Sequence, residues 1–242
     1  MIKKRWSIIS KDLKKSIVSK IKVIIQARLG SKRLRGKILL PICGIPLVVL
    51  CWKRIKDKMF NLEVAIPKGK ADDKVAKILK KNNIKFFRGE KNNVLERFRS
   101  LTSTMKPDEL IIRATADNPL VDKFFIKKLI LAYKKKEFDY MSGHDNVKNC
   151  PFGLQAEIFK VKHLREKFKK SKYNSEHVTP FIRKKYLSKK KIEIKNLNYT
   201  QNKRVTLDTK SDYKKIIKMF SYSKNNIKIK YLDILKASRK KI

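Results

Sequence analysis

Acidic residues are scarce in this chain: 21 Asp and Glu stand against 64 Lys and Arg, for a formal charge of +43 over 242 residues. Glycine is scarce too, at 7, and no apolar run reaches the roughly eighteen residues that a membrane-spanning helix needs. Residues 1–20 lack the unbroken apolar segment of a secretory leader, so the chain is expected to work in the cytoplasm. The three cysteines, Cys43, Cys51 and Cys150, fall at spacings that match no zinc ligand set and read as reduced, packing thiols. No internal repeat and no Pro/Gly/Ser-rich linker divides the chain, and its length with 42% hydrophobic residues fits one large core better than two small ones.

A surplus of positive charge invites a reading of nucleic-acid or acidic-membrane binding. Here the lysines run the whole length of the chain, with no helix-turn-helix pattern, zinc-finger spacing or aromatic-rich RNA motif to gather them into a recognition surface. Alongside heavy use of Ile and Asn, they read as a compositional bias, and no specific nucleic-acid partner is expected. The same field would attract an anionic nucleotide.

Residues 1–20 mix a few apolar side chains with many lysines, as in a short amphipathic helix or a solvated arm, and are expected to be dispensable. From Ile21 the pattern changes. IKVIIQA is a β-branched run of strand length that stops at a loop holding Gly30, Ser31 and Gly36. Pro46 opens a helix repeating Leu47, Cys51 and Ile55, and LEVAI (62–66) is the next strand. Asp72 and Asp73 form the acidic first turn of a helix through Val75, Ile78 and Leu79, and IKFF (84–87) follows as a strand. A helix through Val94, Leu95 and Phe98 leads to the strand ELIIRA (109–114), then to a helix buried through Phe125, Leu129 and Ala132. Strand and helix alternate, which predicts an α/β fold with a mostly parallel sheet and ligands bound beyond the carboxyl ends of its strands. Further on, DYMS, LQAEIF and RVTL (204–207) read as strands, Thr179 as a cap before Pro180, and Thr209 with Asp212 as a capping box. His163 is expected on a helix surface.

Three segments carry candidate chemistry. In ARLGSKRLRGK (27–37), glycine lets the backbone approach phosphate oxygens, Ser31 adds a donor, and Arg28, Arg33 and Lys37 supply charge, although the spacing is not that of a Walker loop. In RATADNPLVD (113–122), Asp117 follows a strand at the sheet's carboxyl edge, where a carboxylate can hold Mg²⁺, while Asp122 reads as a helix cap. In RVTLDTKSDY (204–213), Asp208 ends an apolar strand in the same manner. Taken alone, Asp117 reads better as a helix cap or an Asx turn before Pro119.

Together with LLPICGIPL, FRGEKNNVLERF, GLQAEIF and EHVTPFI, these segments resemble, in order over about residues 21–222, the cytidylyltransferase-like family named for spore coat polysaccharide biosynthesis. That family is similar to the synthetases of CMP-sialic acid and CMP-3-deoxy-manno-octulosonate. The resemblance implies a Rossmann-like sheet of the nucleotide-diphospho-sugar transferase type, one domain over 21–242, and transfer of a nucleotide from CTP to a sugar or sugar acid. It implies that Ala27, Arg28, Gly30, Ser31, Arg33 and Lys37 contact the nucleotide. Lys37, Asp117 and Asp208 would be catalytic, the two aspartates holding Mg²⁺, and Arg113, Glu157, Glu176 and His177 would lie on the acceptor side; homodimerisation stays open. For His177 a capping or packing role stands beside the acceptor role. Arg35 stands where the family loop has Pro, and the 1–20 arm has no counterpart. A glycosyltransferase of related fold, or a basic nucleic-acid-binding protein, are the alternatives; the first is expected to show an Asp-x-Asp motif, and none is well placed.

Overall fold

The computed structural model describes residues 21–136, 138–168, 172–197, 204–224 and 226–239, so the basic arm over 1–20 lies outside the described residues. The frame is a sheet of six strands: β1 (Ile21–Gln26), β4 (Asn61–Pro67), β5 (Phe86–Gly89), β6 (Leu110–Thr115), β7 (Tyr140–Ser142) and β8 (Glu157–Lys160), in the spatial order β5-β4-β1-β6-β8-β7. A hairpin of β2 (Pro41–Ile42) and β3 (Ile45–Pro46) stands apart, with Cys43 and Gly44 both at positive φ in its tight turn.

The four strands from β5 to β6 are parallel, as the alternation of strand and helix predicts, with β1 at the centre between β4 and β6. Beyond β6 the rule fails. β8 runs antiparallel to both β6 and β7, because the chain returns from β7 through the one-turn helix α5 (Gly143–Asn146) and a loop rather than through a crossover helix.

Alternate side chains of each central strand enter separate cores. Val23, Ile25, Val64, Ile66, Ile112 and Ala114 face one side, under the helices α1 (Leu47–Ile55), α2 (Asp73–Lys81), α4 (Lys123–Lys135), α9 (Lys210–Ser221) and α10 (Tyr231–Arg239). Ile24, Ala65 and Ile111 face the other, under α3 (Val94–Leu101), α6 (Val161–Arg165) and α8 (Pro180–Tyr186). Strands covered on both faces read as continuous apolar runs, which is why IKVIIQA is apolar almost throughout. Among the described residues no helix is long and apolar enough to cross a membrane.

Caps behave as the sequence predicts at two sites. Asp122 accepts the Phe125 N–H at 2.8 Å and, with its other oxygen, the Tyr231 N–H at 2.8 Å, so one carboxylate starts α4 and anchors α10. Thr209 and Asp212 form the full capping box of α9. At Thr179 the expectation is corrected: the residue precedes α8 but its side chain makes no cap, and its hydroxyl donates to Glu157 instead. His163 is also corrected. It is buried and stacked on Tyr186 at 4.4 Å, since α6 is covered by α8.

RVTL is not a ladder strand. Arg204 makes a single bridge to Phe152, and the segment is otherwise held by Val205 N–H on Phe152 O (2.7 Å) and Leu207 N–H on Asp117 O (2.8 Å). Its apolar alternation is satisfied by burying Val205 and Leu207, without a neighbouring strand. The backbone of Thr206 passes so close to Gly153 that a Cβ there would sit 2.3 Å from the Thr206 nitrogen, and Gly153 has φ +100°. Only glycine fits. Gly153→Ala should therefore displace the segment ending in Asp208 and cost about 2 kcal/mol or more of stability, from backbone strain with the clash added. Chemical denaturation alongside turnover checks this; unchanged values of both would mean that the two backbones are not so closely opposed.

Candidate active site

The loop after β1 lies at the middle of the sheet's carboxyl edge. The Ala27 N–H still pairs with Ala65 O at 3.0 Å, so the chain leaves the sheet only at Arg28. The turn then folds on itself through Ser31 N–H on Leu29 O at 2.9 Å, and Gly36 at φ 68° precedes the short 3-10 turn Lys37–Leu39. Arg28, Gly30 and Arg33 are exposed, while Ser31 is half-buried.

Lys37 is the reverse. Its ammonium, 10% exposed as a side chain, donates to Asp117 Oδ2 at 2.8 Å, Leu207 O at 2.9 Å and Asp208 Oδ1 at 2.8 Å. An ammonium has three N–H groups and each has an acceptor here. Residues far apart in the chain thus meet at one nitrogen, brought together by the hydrogen bond of Leu207 to Asp117 and by the position of both loops beyond β1 and β6. Asp208 also receives Arg33 at 2.9 Å and Arg204 on its second oxygen. Burial alone would raise the Asp208 carboxyl, but Lys37, then Arg33 and Arg204, hold it below the ordinary carboxylate value. Arg204, four residues before Asp208, is a member of the site that the sequence reading missed; its guanidinium lies 4.9 Å over the Phe152 ring.

The chemistry of this donor set suits Mg²⁺, which takes one or two carboxylates and fills its remaining positions with phosphate oxygens and water. Asp117 and Asp208 converge on a single point, and Asp117 Oδ1 takes none of the bonds to Lys37. Among the described residues no cluster of three or more His, Cys, Asp or Glu is placed to hold a metal. A two-carboxylate site shared with a triphosphate remains the arrangement these residues can offer.

On the other side of β6 the acceptor-side candidates gather in a cleft of about 780 Å³, lined among others by Arg113, Glu157, His177 and Thr179. Glu157 is wholly engaged: Arg113 holds one oxygen, while Tyr140 (2.6 Å) and Thr179 (2.8 Å) donate hydroxyls to the other. Burial raises its carboxyl, and Arg113 with these hydroxyls more than offsets that and keeps it below the ordinary value. It is a fixed anion that orients Arg113, whose guanidinium also reaches Gln26 Oε1 at 3.0 and 2.9 Å at the end of β1. His177 is exposed on the rim of the cleft, its ring 4.6 Å from Tyr173, and is neither a cap nor a packed core residue. It ends the short helix α7 (Lys172–His177), where Glu176 pairs with Arg28 at 2.7 Å and so links the cleft to the loop. Val178, which follows His177, is buried at φ 68°, a strained position for a β-branched residue of the kind that accumulates at functional sites. Tyr140, Asp145 and Arg183 belong to the cleft or its floor and carried no signal in the sequence.

The family profile described as cytidylyltransferase matches residues 22–240. The chain is 33% identical over 205 residues to the spore coat polysaccharide biosynthesis protein SpsF of Bacillus subtilis, covering 80% of this chain and 83% of that one. It is 31% identical over 121 residues to 3-deoxy-manno-octulosonate cytidylyltransferase 2 of Hydrogenovibrio crunogenus, 48% of each chain. A cytidylyltransferase structure from Leptospira borgpetersenii superposes with a TM-score of 0.79 at 27% identity, covering 91% of this chain and 94% of that one. The fold, the order of the motifs and these relatives place the chain in the cytidylyltransferase family.

Proposed function

We propose that this protein transfers CMP from CTP to a hydroxyl of a sugar or sugar acid and releases pyrophosphate, in the biosynthesis of a surface polysaccharide or glycan. The observation that carries the reading is the convergence of Asp117 and Asp208 on Lys37 at the end of a cationic loop, which the Arg28–Glu176 pair joins to the helix bordering a cleft of substrate size. The names of the relatives, a spore coat polysaccharide protein and a cytidylyltransferase for 3-deoxy-manno-octulosonate, support the product class.

In this reading the triphosphate lies along residues 27–37. Arg28 and Arg33, exposed and paired with Glu176 and Asp208, exchange those carboxylates for phosphate oxygens, with Ser31 as a further donor. Lys37 stays in place, its charge directed at the phosphate that reacts. The acceptor occupies the cleft over Arg113 and Glu157 and its hydroxyl attacks the α-phosphorus in line; the hydroxyl proton passes to solvent water, and the new O–P bond forms as the bond to pyrophosphate breaks. Mg²⁺, held by Asp117 and Asp208, would supply charge neutralisation at the reacting phosphate. The protein's own contribution is to position the two substrates and to present a fixed positive field.

A screen of pyrophosphate release with CTP, ATP, GTP and UTP against keto-sugar acids and sugar phosphates tests the proposal. Release should require CTP together with a particular acceptor. Equal release with UTP would remove the base assignment, and none with CTP would remove the activity.

A further inference from the structure

Asp72 stands at the N-cap position of α2, where an aspartate ordinarily accepts an N–H of its own helix for about 1 kcal/mol of stability. It makes no such bond. Its carboxylate, on a residue only 6% exposed, turns to the neighbouring loop and accepts the Leu29 N–H at 2.8 Å. β4 lies beside β1 in the sheet, so the turn Lys70–Asp72 that follows β4 arrives next to the loop that follows β1. Behind it, buried Arg97 pins the segment after β5 by donating to Glu90 O at 3.0 and 2.6 Å and to Lys91 O at 3.1 Å.

We propose that Asp72 is a positioning residue for the nucleotide loop: by accepting the Leu29 N–H it fixes the turn that presents Arg28, Ser31 and Arg33 to a triphosphate. This rests on the reading of residues 27–37 as the CTP loop. A backbone amide tied to a buried carboxylate fixes the loop before the ligand arrives, and that lowers the ordering cost of binding. The atom that matters is the acceptor oxygen rather than the charge. Asn keeps an oxygen at the same reach, whereas Glu keeps the charge and moves the oxygen by one methylene.

The test compares Asp72→Ala, Asp72→Asn and Asp72→Glu by CTP titration, by steady-state kinetics and by hydrogen exchange of the peptide containing Leu29. Ala and Glu should raise the KM for CTP roughly tenfold with kcat little changed, the size of one net hydrogen bond. They should also speed exchange at Leu29, and Asn should stay close to wild type in each measurement. If the Ala variant does not fold, the Asn and Glu pair decides the matter, since both keep a polar side chain at the position. Wild-type behaviour of Glu with loss in Asn would assign the effect to charge and overturn the proposal, as would three variants indistinguishable from wild type. A wild-type protein that binds no CTP in the same titration overturns the nucleotide reading, and this inference with it; wild-type binding that Ala and Glu leave unchanged overturns the inference alone.

Discussion

Asp117→Asn and Asp208→Asn should each lower the rate of CMP transfer by roughly a hundredfold or more, because metal stabilisation of a transition state is worth several kcal/mol and each 1.36 kcal/mol is tenfold. Asparagine preserves the shape and can still accept from Lys37, so folding should survive. The loss should fall on kcat. Asp208 already faces Lys37, Arg33 and Arg204, and removing its charge leaves those cations less neutralised, which favours a polyanionic nucleotide. CTP should therefore bind at least as well to Asp208→Asn in the absence of added metal. The double variant should be little worse than the worse single one, as happens when groups act as a unit. Titration of Mg²⁺ against single-turnover rates gives the decisive comparison. Full activity in either single variant would reduce these carboxylates to counter-ions for Lys37.

Lys37→Met should be the most damaging single substitution in the protein, because it affects stability and chemistry at once. The ammonium is the common partner of two carboxylates and a buried carbonyl. Without it Asp208, 11% exposed, keeps Arg33 and Arg204, but Asp117 loses the only cation that pairs with it among the described residues. Breaking a buried pair by removing one partner costs about 3–5 kcal/mol; with Asp117 30% exposed, solvent reduces this, and about 2–3 kcal/mol is expected here. Transfer activity should fall below detection. Lys37→Arg separates the two effects: it restores charge, yet a planar guanidinium cannot aim three donors at the three acceptors that a tetrahedral ammonium reaches. Stability should largely return and activity should not. Thermal unfolding and pyrophosphate release, measured on both variants, check this; an active Lys37→Arg enzyme would show that charge alone is required.

Much of this arrangement is legible in the chain before any coordinates. The apolar run at Ile21–Gln26, its alternation with helical segments, and the caps at Asp122 and Thr209 are local properties. Propensity, period and capping chemistry act over a few residues, so a linear reading reaches them. The cationic loop could be placed at the carboxyl edge of the sheet for the same reason. Where the linear reading failed, the deciding contact was distant. RVTL has the pattern of a strand but lies alone against Gly153 and the Asp117 turn, and His163 lies beneath a helix that comes later in the chain. Asp72 looks like any capping aspartate, and only the neighbouring loop shows where its carboxylate goes.

Neighbours along the chain suffice for the α/β class, the parallel half of the sheet and the residue types available for binding an anionic nucleotide. Three-dimensional packing set the rest: Asp117 and Asp208 share one lysine, Glu157 is a fully bonded anion rather than an available base, and β8 reverses direction. The side-chain contacts involved join residues 17 to 171 apart in the chain, where partner, distance and burial are set by packing. No pattern in the linear order encodes such a contact, because its energy exists only once the intervening elements have folded around it.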